Sequence, residues 1–264
     1  MAYKTLIYTV EDSIATITLN RPDCYNALNG QMVEELLEAV RTCREDRAVR
    51  VVVLMGTGRA FCAGGDVREL LDHSAAIAPH IKRLLISLHN VISCICGMSK
   101  PVIAGVGGVA AGAGMGLAMA CDLVIAAQSA RFTMAYTQLG LPPDAGSSYF
   151  LPRLVGLRRA MELTFTNRVL TSDEAREWGL INRVAPDTAF AAAVYAMAKE
   201  LAAGPTLAMG RAKRLLGMSD HASLEAQMEN EAKLIALSGQ TADFCEGMRA
   251  FVEKRAPIFN LPPR

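Results

Sequence analysis

Hydrophobic and polar positions follow two distinct rhythms along the first two-thirds of the chain. The segment SIATITL, residues 13–19, alternates with period two and predicts a half-exposed strand. Leu28, Met32, Val33, Leu36, Leu37 and Val40 then recur at helical spacing and mark one apolar helix face. VRVVVLM, residues 49–55, is almost unbroken in apolar character and reads as a buried strand. A helix is predicted from Asp66, which caps it with Glu69 as the reciprocal acid three residues on. Another spans roughly 78–97, followed by a strand at 101–106, a glycine turn, a short helix and a strand at 122–127. After about residue 185 the chain turns alanine-rich and helical, over 187–203, 206–216, 221–238 and 241–254. The pattern predicts an α/β fold: a core of repeated β-β-α units over 1–185 and a helical extension over 186–264. No low-complexity linker separates them, so the expectation is one domain with an appendage.

One apolar run needs its own test. Val102 to Cys121 is twenty residues without a charge, long enough to cross a bilayer. Six of the twenty are glycine, each costing a helix roughly 1 kcal/mol relative to alanine. The run also divides into a β-branched strand, a Gly/Ala turn and MGLAMACDLV, which is the grammar of a buried strand–turn–helix. No membrane segment and no secretory signal are expected.

Charge and cysteine content narrow the classes further. A net charge of +1 argues against a nucleic-acid surface. Seven scattered cysteines form no disulfide framework and read as reduced thiols of a cytoplasmic protein. The four histidines are dispersed without a metal-binding motif, so no metal site is expected.

Two glycine turns remain, GTGRAFCAGGD at 56–66 and GVAAGAGMGLAMACD at 108–122. Each follows a strand and leads into a helix, where free backbone N–H groups and the helix dipole favour negative charge. Neither fits a dinucleotide fingerprint or a phosphate loop, and no G-x-S-x-G nucleophile turn occurs. Two N–H-rich turns without a nucleophile suit stabilisation of a developing oxyanion.

AFCAGGD (60–66) and VGGVAAGAGMGLAMACD (106–122) resemble the enoyl-CoA hydratase/isomerase family, the crotonases. Further matches are ITLNRPDCYNALN (17–29), FTMAYTQLGLPPDAGSSYFLPRLVG (132–156), LTSDEAREWGLINRV (170–184) and FVEKRAPIF (251–259), in order and over nearly the whole chain. The resemblance implies a crotonase-like spiral and an acyl-CoA thioester substrate, with coenzyme A present as part of the substrate and no permanently bound cofactor. It implies an oxyanion hole from the N–H groups of Ala63 and Ala113, with Gly64, Gly65, Asp66, Gly112 and Gly114 lining the site. The segment around Arg21 and Ala27 would meet the CoA portion, and Phe251 and Lys254 would approach it from a neighbouring subunit. A homotrimer or dimer of trimers is implied, built through the C-terminal helices. Asp66 also has an ordinary reading as a helix cap, and Arg21 and Lys254 as solvated surface charges.

Acids and bases decide which reaction the hole serves. Hydratases of this family carry glutamates at the positions matching Gly116 and Tyr136, and both carboxylates are absent here; Tyr136 stands as a candidate substrate-binding residue that could line the pocket, donate a hydrogen bond or simply pack. Asp144 remains, in LPPDAGSS, either as a turn and cap residue or as a proton carrier. Its P-D-x-G turn resembles the ring-opening epoxyphenylacetyl-CoA isomerases of aromatic catabolism more than the dienoyl-CoA isomerases, which pair the aspartate with an acid at the Tyr136 position. The expectation is an isomerase that shifts a double bond, or rearranges a ring, in an unsaturated acyl-CoA thioester, with Asp144 as base. A hydratase, another crotonase-type lyase or hydrolase, or a non-catalytic acyl-CoA-binding protein are the alternatives.

Overall fold

A computed structural model describes residues 3–259. Its strands are β1 (Leu6–Glu11), β2 (Ile14–Leu19), β3 (Val51–Gly56), β4 (Ala60–Cys62), β5 (Val102–Val106), β6 (Val109–Ala111), β7 (Leu123–Ala127), β8 (Arg131–Thr133), β9 (Leu170–Thr171) and β10 (Arg183–Ala185). Its α-helices are α1 (Gly30–Glu45), α2 (Val67–Asp72), α3 (Ile77–Gly97), α4 (Ala113–Met119), α5 (Ser147–Val155), α6 (Leu157–Thr166), α7 (Ser172–Glu177), α8 (Phe190–Ala203), α9 (Thr206–Met218), α10 (Leu224–Ser238) and α11 (Ala242–Val252). A six-stranded sheet runs β1-β2-β3-β5-β7-β10, and a smaller one runs β4-β6-β8-β9. Only β1 with β2 and β8 with β9 pair antiparallel. Three times the chain lays a strand in the large sheet, drops a short one into the small sheet and then turns into helix. That repetition is the predicted β-β-α spiral.

The sequence rhythms have physical causes here. Val52 and Leu54 of β3 face the main core, while Val51 and Val53 face a second core under α8. A strand buried on both faces has no polar side, hence the unbroken run. The helix α4 is buried along its whole length, which explains the charge-free stretch that mimics a membrane span. Among the described residues no helix is long and apolar enough to cross a membrane.

Asn29 caps α1 by accepting from the Met32 N–H, and Asp66 caps α2 by accepting from Arg68 and Glu69. The reciprocal half of the expected Asp66–Glu69 box does not form. The Asp66 N–H is already donated to the Leu28 carbonyl, and the Glu69 carboxylate instead accepts from the Gly30 N–H at the start of α1.

The line drawn at residues 185 and 186 falls just after β10, yet α8 beyond it is part of the core. Val194, Ala198 and Ala202 pack against Val53, Ile103 and Ile125. The helix α9 is docked by the Lys213 ammonium, which donates to Asp122 and to the Ile95 carbonyl. The helix α10 buries no residue, and Leu224, Ile235, Phe251 and Val252 leave an apolar exterior on α10 and α11.

Candidate active site

The two glycine turns meet. A Cβ placed on Gly64 would stand 3.4 Å from the Ala113 nitrogen and 3.0 Å from the Ala111 carbonyl oxygen. Ala113 is the first residue of α4, so its N–H lies outside the helix ladder and has no hydrogen-bond partner among the described residues. Gly112 turns the chain into that helix at φ 51° and ψ −124°, a conformation reserved for glycine.

The first turn requires a correction. The Ala63 N–H donates to the Tyr25 carbonyl at 3.0 Å, so it is not available to an incoming oxygen. Two residues on, the Gly65 N–H has no hydrogen-bond partner among the described residues, and a Cβ at Gly65 would meet nothing within 4 Å. The flanking Gly64 carbonyl and Asp66 N–H are both bonded to Leu28, which fixes Gly65 between two anchored neighbours. Among the described residues, Gly65 and Ala113 therefore each present an unpaired N–H at the junction.

A carboxylate stands beside them. The Tyr136 hydroxyl donates to Asp144 Oδ1 at 2.5 Å, and the ring of Tyr136 lies 3.8 Å from the Cβ position of Gly112. Burial pushes the Asp144 carboxyl above the usual carboxylate range, opposed by the Tyr136 hydrogen bond and by the facing His89 imidazole. Burial and the Asp144 charge push the Tyr136 phenol up, so it keeps its proton through neutral pH. His89, on α3, carried no sequence signal because it sits among ordinary exposed helix positions.

Beyond Asp144, an apolar cavity of about 860 Å³ lies between α3, the end of α4, α5 and α9. His89, Gly146, Phe150, Met119 and Lys213 are among its walls.

With this geometry in place, comparison with known proteins is decisive. Residues 9–261 match the enoyl-CoA hydratase/isomerase family. The chain belongs to that family. It is 38% identical over 251 residues to the 1,2-epoxyphenylacetyl-CoA isomerase of Escherichia coli (strain K12), covering 95% of this chain and 96% of the relative. It is also 38% identical to 4-chlorobenzoyl coenzyme A dehalogenase-1 of an Arthrobacter species, over 92% of this chain and 88% of that one. The crystal structure of an enoyl-CoA hydratase from Polaromonas sp. JS666 matches with TM-score 0.92 and 33% identity, over 96% of this chain and 98% of that one. The crotonase fold and a family activity on acyl-CoA are thereby shown, with hydratase and isomerase names both among the relatives.

For a crotonase, the departure at Gly116 now has a structural account. A Cβ on Gly116 would stand 2.7 Å from Ser147 Oγ and 2.8 Å from the Ala145 carbonyl oxygen. No carboxylate fits there without moving backbone. Gly116→Glu is therefore expected to lower the melting temperature and to gain no hydration of crotonyl-CoA, followed by loss of enoyl-thioester absorbance.

The remaining candidate residues sit elsewhere. Asp66 is engaged as the α2 cap and in an ion pair with Arg21 at 2.9 Å. Arg21 also donates to the Ala27 carbonyl at 2.5 Å, so the pair staples the 21–27 loop to the first glycine turn. Gly114 packs on β4 and faces Cys62 rather than the junction. Phe251 and Lys254 are exposed at the end of α11, and Phe251 lines a separate groove with Leu207 and Phe244. Within one chain they are not brought to the glycine turns.

Proposed function

We propose that this crotonase isomerises unsaturated acyl-CoA thioesters, with Asp144 carrying the proton and the Gly65 and Ala113 N–H groups holding the enolate oxygen. The observation that carries this reading is one carboxylate beside the joined turns, with the two hydratase positions occupied by a tyrosine and a sterically closed glycine. Adding water needs a base for the water and an acid for the carbon, whereas moving a proton between two carbons needs one group that does both in turn. Asp144 removes a proton from a carbon conjugated with the thioester, and the C–H electron pair passes into the enolate. The N–H groups stabilise that charge where it develops. The proton held on Asp144 exchanges with solvent, Asp144 then delivers a proton to another carbon, and no water is consumed. Coenzyme A enters as part of the substrate, with the acyl group directed toward the apolar cavity. The exposed apolar faces of α10 and α11 support assembly into a homotrimer or a dimer of trimers.

Mass spectrometry of products formed from several unsaturated acyl-CoAs in heavy water tests this. Deuterium in a product with a shifted double bond and no added mass of water is the expected result. A gain of one water as the sole reaction would overturn it.

A second reading is favoured by His89 and by the dehalogenase relative. A carboxylate faced by an imidazole can also serve hydrolytic replacement on an aryl thioester. Asp144 would attack the ring carbon as the halide leaves, and His89 would take a proton from the water that cleaves the resulting ester. Halide release from 4-chlorobenzoyl-CoA would favour that reading over isomerisation.

A further inference from the structure

We propose that Tyr136 is the positioning residue of the Asp144 carboxylate, holding Oδ1 so that Oδ2 alone works on the substrate. The inference rests on the reading of Asp144 as proton carrier and assigns a function to the tyrosine that stands at a hydratase glutamate position.

The geometry is over-determined at both ends. The Tyr136 hydroxyl donates to Asp144 Oδ1 at 2.5 Å and lies 3.3 Å from the Asp144 carbonyl oxygen. The same carbonyl accepts the Ser147 N–H at 2.8 Å, which fixes the Asp144 backbone at the mouth of α5. Tyr136 is buried, and its own carbonyl accepts from Leu139 and Leu141 while its N–H donates to Met134. The ring is thus held by its backbone and by the close approach to Gly112. A carboxylate otherwise turns readily about its last torsion and exchanges its two oxygens. The phenol removes that freedom. Asp144 Oδ2 has no hydrogen-bond partner among the described residues and is the oxygen left for chemistry.

Protons balance across the step. One leaves a substrate carbon for Oδ2, exchanges with solvent while Asp144 holds it, and one proton returns from Oδ2 to a second carbon. Tyr136 gains and loses none. Its donor strength favours the ionised carboxylate over the protonated one, which counters the cost of burying that charge.

Tyr136→Phe deletes the hydroxyl and keeps the ring. The expected result is a fall in kcat of about 10- to 100-fold, the scale of a lost hydrogen bond to a charged group. KM and the affinity for a non-reacting acyl-CoA should change less than about twofold, since the phenol makes no uniform binding contribution. The acidic limb of the kcat profile should move to higher pH, because the donor that favoured ionised Asp144 is gone. Site-specific 3-fluorotyrosine, a stronger donor, should move that limb the other way, and it preserves the buried hydrogen bond should the phenylalanine variant fold poorly. An unchanged kcat, or a raised KM with kcat intact, overturns the positioning role and leaves a wall residue. If Asp144→Asn is inactive while Tyr136→Phe is normal, only this inference fails. If both are normal, the underlying reading of Asp144 fails with it.

Discussion

Asp144→Asn is expected to reduce turnover by at least about 10³-fold, in the upper part of the range for a positioned acid–base group. The amide is nearly isosteric, can still accept from Tyr136, and cannot take a proton from carbon. Acyl-CoA affinity should therefore persist, and the exchange of substrate protons with heavy water should vanish with turnover. In the unmodified protein the base must be ionised, and burial sets its pKa above the usual carboxylate range. Activity is thus expected to fall as pH drops through that raised value, along a single acidic limb that the Asn variant lacks. The stability effect has the opposite sign. A carboxyl whose folded pKa is raised binds its proton more tightly folded than unfolded, so stability declines as pH rises from the ordinary carboxylate value through the raised one. At neutral pH the ionised Asp144 costs stability, and Asp144→Asn is expected to melt at the same or a higher temperature. Full activity in that variant would falsify the assignment of the base.

Gly114→Ala is expected to damage the site through packing alone. A Cβ there would stand 2.2 Å from the Cys62 carbonyl oxygen and 2.7 Å from the Cys62 Cβ. The helix α4 must retreat from β4 by on the order of 1 Å, carrying the Ala113 N–H away from the first turn. Misplacement on that scale can cost about 10²-fold in rate, comparable to losing one oxyanion donor. Overpacking should cost about 1–3 kcal/mol, read as a melting point lower by several degrees. Gly97→Ala is the control, since a Cβ there meets nothing within 4 Å. Normal activity in Gly114→Ala would show that the two turns need not keep their present spacing.

Much of the fold was legible because its signals are local. The run at 49–55, the face from Leu28 to Val40 and the cap at Asp66 are set by neighbours within one or two turns of chain. Short strands were not legible: β4, β6 and β8 have three residues each, too few to establish a period. Helix starts slipped where punctuation intervened. Asp187–Ala189 forms a 3-10 turn after Pro186, so α8 begins at Phe190, and Ser223 caps α10 at Leu224.

The site divides along the same line. By itself the sequence determined the family, the two glycine turns, the loss of both hydratase glutamates and the lone aspartate, since each is written in residue identity. Only the tertiary structure decided which N–H groups are unpaired. The choice between Ala63 and Gly65 turns on a carbonyl from Tyr25, a residue on a separate loop. The same holds for Asp144, whose partners Tyr136 and His89 come from different elements, and for Gly116, which is closed by Ala145 and Ser147. Hydrogen-bond competition and steric closure are properties of groups that meet in space, and residue order along a chain does not record which groups those are.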